Sequence, residues 1–265
     1  MATDVDGHPI AWREAGHGDL IVLLHGLGGS RISWEPQLAA LSTDHRVAAW
    51  DLPGYGASAP LADETVTFAA LAQAAARWIA ELGGGSAHII GISMGAMIAQ
   101  YLAASHPQSV RSLTLLSTSP AFGLDGTSPD DWRAARMAPL NAGQQPADFA
   151  DRVLRSIAGP NIDETAFESQ RRAMTRISGQ ALQRSIECLV THDARPLLAA
   201  ITAPTLVMVG ELDQETPPSY AQALADQIPN AWLQIVPNAG HLLNVEAPDV
   251  VNAAITRHLR HVEDQ

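Results

Sequence analysis

The chain contains no lysine: all sixteen of its basic residues are arginine, against twenty-eight acids, for a net charge of −12. Holding a phosphate backbone requires a basic face, so this balance argues against a nucleic-acid partner. The lack of lysine itself reads as genome composition rather than chemistry. Cysteine is nearly absent too. Cys188 stands alone, which excludes an intrachain disulfide and fits a reducing compartment. In a helical stretch it reads as a small buried apolar residue rather than a nucleophile. No apolar run reaches the roughly eighteen residues of a membrane-crossing helix. Met1-Ala2-Thr3-Asp4 lacks the basic and apolar regions of a signal peptide. Internal repeats and low-complexity tracts are missing as well. The expectation is a soluble cytoplasmic protein without membrane contact, its oligomeric state open and a homodimer one option.

What is present is a chain of 265 residues, 46% hydrophobic, long enough for one large α/β domain with an insertion. Strand-like and helix-like stretches alternate, the pattern of a parallel sheet. Residues 2–14 read as a hairpin turning at Asp6-Gly7. Leu20–Leu24 is wholly apolar, as a strand buried on both faces must be. Arg46–Trp50, Ala87–Ile90, Leu113–Leu116, Thr205–Val209 and Leu233–Val236 are further strands. Trp34–Leu41, Phe68–Leu82, Ala96–Ala104 and Pro248–Arg260 read as helices, the third stopped at Pro107 and the second at Gly83-Gly84-Gly85. Between Ala121 and Ala199 strand-like runs disappear, and Pro and Gly punctuate helix-length pieces. This stretch holds nine of the sixteen arginines and ten acids, a local balance of −1. It reads as a helical cap, residues 121–199, inserted into a sheet domain formed by 1–120 and 200–265.

One pentapeptide carries the chemistry. Gly91-Ile92-Ser93-Met94-Gly95 sits between a strand-like and a helix-like run, the setting of a sharp turn that presents a nucleophilic serine at a sheet's carboxyl edge. A serine hydroxyl needs an adjacent base, itself oriented by a carboxylate. With this turn the chain order is serine, acid, histidine. His241, on the loop Asn238-Ala239-Gly240-His241 after the last strand, fits the base. Asp213, in Gly210-Glu211-Leu212-Asp213 after the strand Thr205–Val209, fits the acid, with Glu211 and Glu215 as competitors. His8, His17, His45 and His106 read as solvated side chains, and His192 as a minor candidate for substrate contact. An oxyanion needs two donors: the Met94 amide, directly after the serine, and one from His25-Gly26-Leu27-Gly28-Gly29. Leu27 is the preferred second donor and Gly28 the alternative, with His25 shaping the loop. Asp51, at a strand end before Leu52-Pro53-Gly54, reads as a structural acceptor of backbone amides.

With these residues placed, the chain resembles the α/β-hydrolase superfamily along its whole length. The resemblance implies a mostly parallel central sheet flanked by helices with an inserted helical cap, and a cofactor-free, metal-free serine hydrolase using Ser93, Asp213 and His241. Within the superfamily the pattern is similar to 3-oxoadipate enol-lactonases, through Gly91–Gly95 with Met97-Ile98-Ala99-Gln100, through His241-Leu242-Leu243-Asn244-Val245-Glu246-Ala247-Pro248 and through Pro204-Thr205-Leu206-Val207. Ala96 departs from the second glycine usual there, and the cap matches only loosely. The implied substrate is a small ester or lactone cleaved through an acyl-enzyme. Alternatives are a C–C bond hydrolase of ring-cleavage products, a general carboxylesterase, a lyase, or a small-molecule receptor on the same fold. The C–C hydrolases commonly carry a Gly-Pro-Gly-like loop and a tryptophan after the histidine, where this chain has Gly28-Gly29-Ser30 and Leu242. Serine at the nucleophile position disfavours haloalkane dehalogenation. Arg133, Arg136 and Arg155, on the early cap helices, are the candidates for holding a substrate carboxylate, since guanidinium forks match carboxylates bidentately.

Overall fold

The structure, a computed structural model, describes residues 1–265 apart from Glu64, Gly84, Asn161 and Gln265. The middle of the expected Gly83–Gly85 helix stop therefore lies outside the described residues. Among those described, eight strands form one sheet: β1 (Thr3–Val5), β2 (Trp12–Ala15), β3 (Leu20–Leu24), β4 (Arg46–Trp50), β5 (Ala87–Ile92), β6 (Val110–Leu116), β7 (Thr205–Gly210) and β8 (Ala231–Val236). Their order is β1-β2-β4-β3-β5-β6-β7-β8. β2 pairs antiparallel with β1 and β4, so the chain enters as a hairpin, and every other pair is parallel.

The helices are α1 (Glu35–Leu41), α2 (Phe68–Glu81), α3 (Met94–Ser105), α4 (Pro129–Asn141), α5 (Pro146–Ile157), α6 (Glu164–Met174), α7 (Gly179–Leu189), α8 (Pro218–Gln227), α9 (Leu243–Glu246) and α10 (Pro248–Glu263). Strand side chains alternate between faces, and here both faces are covered. Leu20, Val22 and Leu24 of β3 join the core shared with α2, α3 and α8, while Ile21 and Leu23 join the core under α1 and α10. That is why β3 has no polar position. α2 starts at Thr67, whose hydroxyl accepts from the Ala70 amide at 3.1 Å, and buries Leu71, Ala75, Trp78 and Ile79 along one stripe. Each such buried large side chain contributes about 1.5–3 kcal/mol.

β6 and β8 begin earlier than the apolar runs mark, at Val110 and Ala231, and the junction at Ser93 and helix α8 differ from the sequence pattern more instructively. The pattern leaves residues 91–95 between strand and helix, yet β5 runs to Ile92 and α3 begins at Met94, so only Ser93 separates them. The glycines that weaken the apolar signal are what permit this abrupt junction. α8 was not anticipated, because only Ala221 and Leu224 of its ten residues are buried.

Between β6 and β7 the chain leaves the sheet for α4–α7. The two ends of this excursion meet at a neck: the Phe122 amide donates to the His192 carbonyl and the Ala194 amide to the Pro120 carbonyl, both at 2.8 Å. No helix among the described residues is long and apolar enough to cross a membrane.

Candidate active site

Ser93 takes φ 52°, ψ −122°, a conformation that L-residues rarely adopt. It is pinned from both sides. Its amide donates to the Leu116 carbonyl at 2.9 Å, and its carbonyl accepts from the Thr118 hydroxyl at 3.0 Å. The flanking glycines are required by close approach. A Cβ on Gly91 would stand 2.6 Å from the Ala96 nitrogen, and one on Gly95 would stand 2.0 Å from the Leu24 carbonyl oxygen. Only glycine lets α3 begin against the end of β3.

That turn delivers the Ser93 hydroxyl to His241, whose Nε2 lies 3.0 Å from Oγ. On the other side of the ring, Nδ1 is 3.0 and 2.9 Å from the two Asp213 oxygens. Donation from Nδ1 to the carboxylate leaves the Nε2 lone pair facing the serine, the tautomer a base requires. Asp213 is buried and fully occupied. The Glu215 and Thr216 amides donate to Oδ1 at 3.0 and 2.9 Å, and the Thr216 hydroxyl donates to Oδ2 at 2.9 Å. Burial raises its pKa, but the His241 charge and these hydrogen bonds outweigh that and hold it below the ordinary carboxylate value. Burial likewise disfavours a charged His241, yet Asp213, with smaller contributions from Glu215 and Glu246, lifts the imidazole above its usual 6.5. Of the competing acids, Glu211 accepts from the Asn238 amide at 3.2 Å, and Glu215 pairs with Arg136.

Glu246, five residues after His241, organises the histidine loop. It accepts from the Gly240 amide at 2.7 Å, the Leu242 amide at 2.8 Å and the Gly159 amide at 2.9 Å. The amides on either side of His241 are thereby clamped, and the His241 amide itself donates to the Ile157 carbonyl at the end of α5, at 3.1 Å.

The loop after β3 forms a tight turn, with the Gly29 amide donating to the Gly26 carbonyl at 3.0 Å and Gly28 at φ +83°. This turn uses the Gly29 amide and not that of Leu27, and Leu27 lines the cavity above Ser93. The Met94 amide is at the first position of α3, among those a helix leaves without an internal acceptor. His25 holds the loop: Nε2 accepts from the Leu52 amide at 3.0 Å, so Nδ1 carries the proton toward the Gly26 carbonyl at 2.9 Å. Asp51 is buried and accepts from the Arg31 and Ala57 amides at 2.9 and 3.2 Å, the structural role its turn-rich context suggested.

Ser93 and His241 open into a cavity of about 600 Å³ walled mostly by apolar side chains, including Met97, Phe122, Trp132, Phe149, Leu182 and Ile186. α4 turns Trp132, Ala135, Arg136 and Pro139 toward it, and α5 turns Phe149, Arg152, Val153 and Ser156, in both cases the i, i+3, i+4, i+7 set. Arg136 thus reaches the cavity, where it donates to both Glu215 oxygens at 2.9 Å. Arg133 and Arg155 are one step round their helices and stay outside the lining. Arg133 pairs with Asp130 at 2.7 Å. Arg155 pairs with Asp151 at 3.1 Å and lies over the Phe167 ring. Arg152 is a further cavity residue beyond the three candidate arginines, and the helical period starting from Phe149 marks it. His192 is buried at the neck with Nε2 2.9 Å from the Ser119 carbonyl oxygen, away from the lining. Burial pushes the Cys188 thiol up to about 12, so it is inert.

One group of metal-ligating side chains among the described residues, Asp19, His88 and Glu263, has its donor atoms within 4.8 Å of one another. It sits at the start of β5, opposite the Ser93 end. Asp19 is paired with Arg111 and Glu263 with His45, which accounts for both carboxylates.

A parallel sheet with a serine on a strained strand-to-helix junction, facing a histidine oriented by a carboxylate, defines a class, and the chain belongs to it: residues 19–248 match the alpha/beta hydrolase fold family. The chain is 32% identical over 254 residues to the pimeloyl-[acyl-carrier protein] methyl ester esterase of Chromobacterium violaceum, covering 92% of this chain and 95% of that one. Among solved structures it is similar to a hydrolase from Pseudomonas aeruginosa PA01, with a TM-score of 0.86, 28% identity and coverage of 97% and 98% of the two chains. The enol-lactonase of Burkholderia xenovorans LB400 superposes with a TM-score of 0.85 at 25% identity, covering 95% of this chain and 96% of that one.

Proposed function

We propose that this protein is a serine hydrolase of carboxylic esters or lactones, working through an acyl-enzyme. The observation that carries the reading is the continuous relay from Asp213 through His241 to Ser93, with contacts of 2.9 and 3.0 Å. Ser93 attacks the carbonyl carbon while His241 Nε2 takes its proton. Asp213 keeps the ring in that tautomer and stabilises the cation. The Leu27 and Met94 amides receive the oxyanion, each worth about 3 kcal/mol in the transition state. His241 then returns the proton to the departing alkoxide, and water reverses the sequence on the acyl-enzyme. The helices within 121–199 act as the cap that keeps bulk water from the site.

The esterase from Chromobacterium and the enol-lactonase from Burkholderia share a carboxylic ester bond as the point of attack, which supports this bond class for the present chain. A cavity of about 600 Å³ exceeds what a small enol-lactone fills and favours the carboxylesterase alternative with a longer acyl group. The test is turnover of p-nitrophenyl butyrate together with labelling by a fluorophosphonate, read by mass spectrometry. Turnover with the label on Ser93, both lost in Ser93→Ala with kcat down at least about 10⁴-fold, is the expected result. A protein that binds esters but neither turns over nor labels is a receptor, and the proposal falls.

A further inference from the structure

The charges on the cavity wall are unevenly matched. Four carboxylate or guanidinium side chains line it: Asp125, Arg136, Arg152 and Glu215. Arg136 and Glu215 neutralise each other through two contacts of 2.9 Å. Asp125, on the segment leading into α4, accepts from the Thr127 amide at 2.9 Å. Arg152 has no carboxylate partner among the described residues, and the acids closest to it on α5 are committed elsewhere. Asp148, one turn back, caps the helix by accepting from the Gln145 amide at 2.7 Å, and Asp151 pairs with Arg155. Arg152 is exposed at the cavity edge, and of the two guanidinium groups on this wall it is the one without a carboxylate partner among the described residues. Phe149 and Val153 flank it on the same helix face, so a group reaching Arg152 from Ser93 passes along apolar side chains.

We infer that Arg152 binds a carboxylate at the far end of the substrate's acyl chain, so that the preferred substrates are half-esters whose acyl group is an apolar chain ending in an anion. This rests on the hydrolase reading above. The acyl group, unlike the leaving alcohol, stays bound through both chemical steps, so a contact at its far end positions the carbonyl for acylation and deacylation alike. A charge-assisted fork at the cavity mouth also selects against neutral esters of the same length.

The test is a matched pair of substrates, mono-p-nitrophenyl suberate and its methyl-capped diester, assayed with wild type, Arg152→Gln, Arg152→Lys and the off-cavity control Arg155→Gln. Arg152→Gln should lower kcat/KM for the half-ester about tenfold more than for the diester, mainly through KM. Arg152→Lys should recover part of the difference, and Arg155→Gln should leave the ratio of the two substrates unchanged. If Arg152→Gln leaves that ratio at its wild-type value, the assignment is wrong while the hydrolase reading stands. If wild type cleaves neither ester, both readings fall together.

Discussion

At Ser93 the backbone sits in a conformation that costs about 1–3 kcal/mol, held by a hydrogen bond from its amide to the Leu116 carbonyl, by one from the Thr118 hydroxyl to its own carbonyl, and by the packing of α3. The strain aims Oγ at His241 instead of along the strand. His241 must be neutral to accept the proton, and its pKa is raised above 6.5 by Asp213, Glu215 and Glu246 against the opposing effect of burial. The sign follows: activity is low where the imidazole is protonated and rises as pH climbs through its elevated pKa. kcat/KM for a neutral ester should therefore show an ascending limb centred above about pH 6.5. Glu215→Gln, which removes one of the raising charges, should move that limb to lower pH. A plateau already reached below pH 6.5 would contradict the geometry. Asp213→Asn should flatten the rate at every pH by about four orders of magnitude, because the amide favours the wrong tautomer.

The elements matter here through where they end. β3, β5 and β7 carry the Gly26 turn, Ser93 and Asp213 just beyond their carboxyl ends, and the loop after β8 carries His241. Their parallel pairing brings these positions to one edge. The contact that sets the depth of the elbow is Gly95 against the Leu24 carbonyl, where α3 meets β3. Gly95→Ala places a methyl group 2.0 Å from that oxygen, so α3 must slide outward, taking the Met94 amide with it. The expected outcome is a loss of at least about 2 kcal/mol in stability and near-complete loss of turnover. Gly179→Ala, at the start of α7, meets the Leu140 side chain at 3.4 Å and the Gln145 side-chain oxygen at 3.5 Å, both ordinary contacts, and should change stability by less than about 0.5 kcal/mol. Chemical denaturation of the two variants separates these outcomes, and equal behaviour would mean that the α3 junction is not the constraint.

Over the whole molecule, burial leaves three histidines, His88, His192 and His258, with pKa values near 4. In the unfolded chain they take up protons around pH 6.5, whereas in the folded one they wait until about pH 4. Between those values the unfolded state holds more protons, so stability falls as the pH drops across this window. His241, with its raised pKa, acts with the opposite sign but outside this window: its contribution is complete below about pH 6.5 and is lost as the pH rises through the raised value. The melting temperature should be distinctly lower at pH 4.5 than at pH 7. His192→Gln, which keeps a donor for the Ser119 carbonyl but cannot titrate, should make the decline shallower. A melting temperature flat from pH 7 to 4.5 would mean these rings are more accessible than the packing indicates.

The amino-acid sequence by itself determined the sheet strands, the junction at Ser93 and the serine–acid–histidine order, because each is written in a few contiguous residues. The unbroken apolar run of Leu20–Leu24, the paired glycines of 91 and 95 and the loop before His241 need no distant partner to be recognised. The structure then brings Ser93, Asp213 and His241 within hydrogen-bonding reach of one another, 148 and 28 residues apart in the chain. What the tertiary structure alone decided is which face of each inserted helix looks inward. A helix offers Arg133 and Arg136, or Arg152 and Arg155, on adjacent faces, and its phase is set by what it packs against. The neutralisation of Arg136 by Glu215, 79 residues away, is equally invisible locally. Charge in a cavity is a sum over elements that the sequence keeps far apart, and only their packing leaves Arg152 unmatched at its edge.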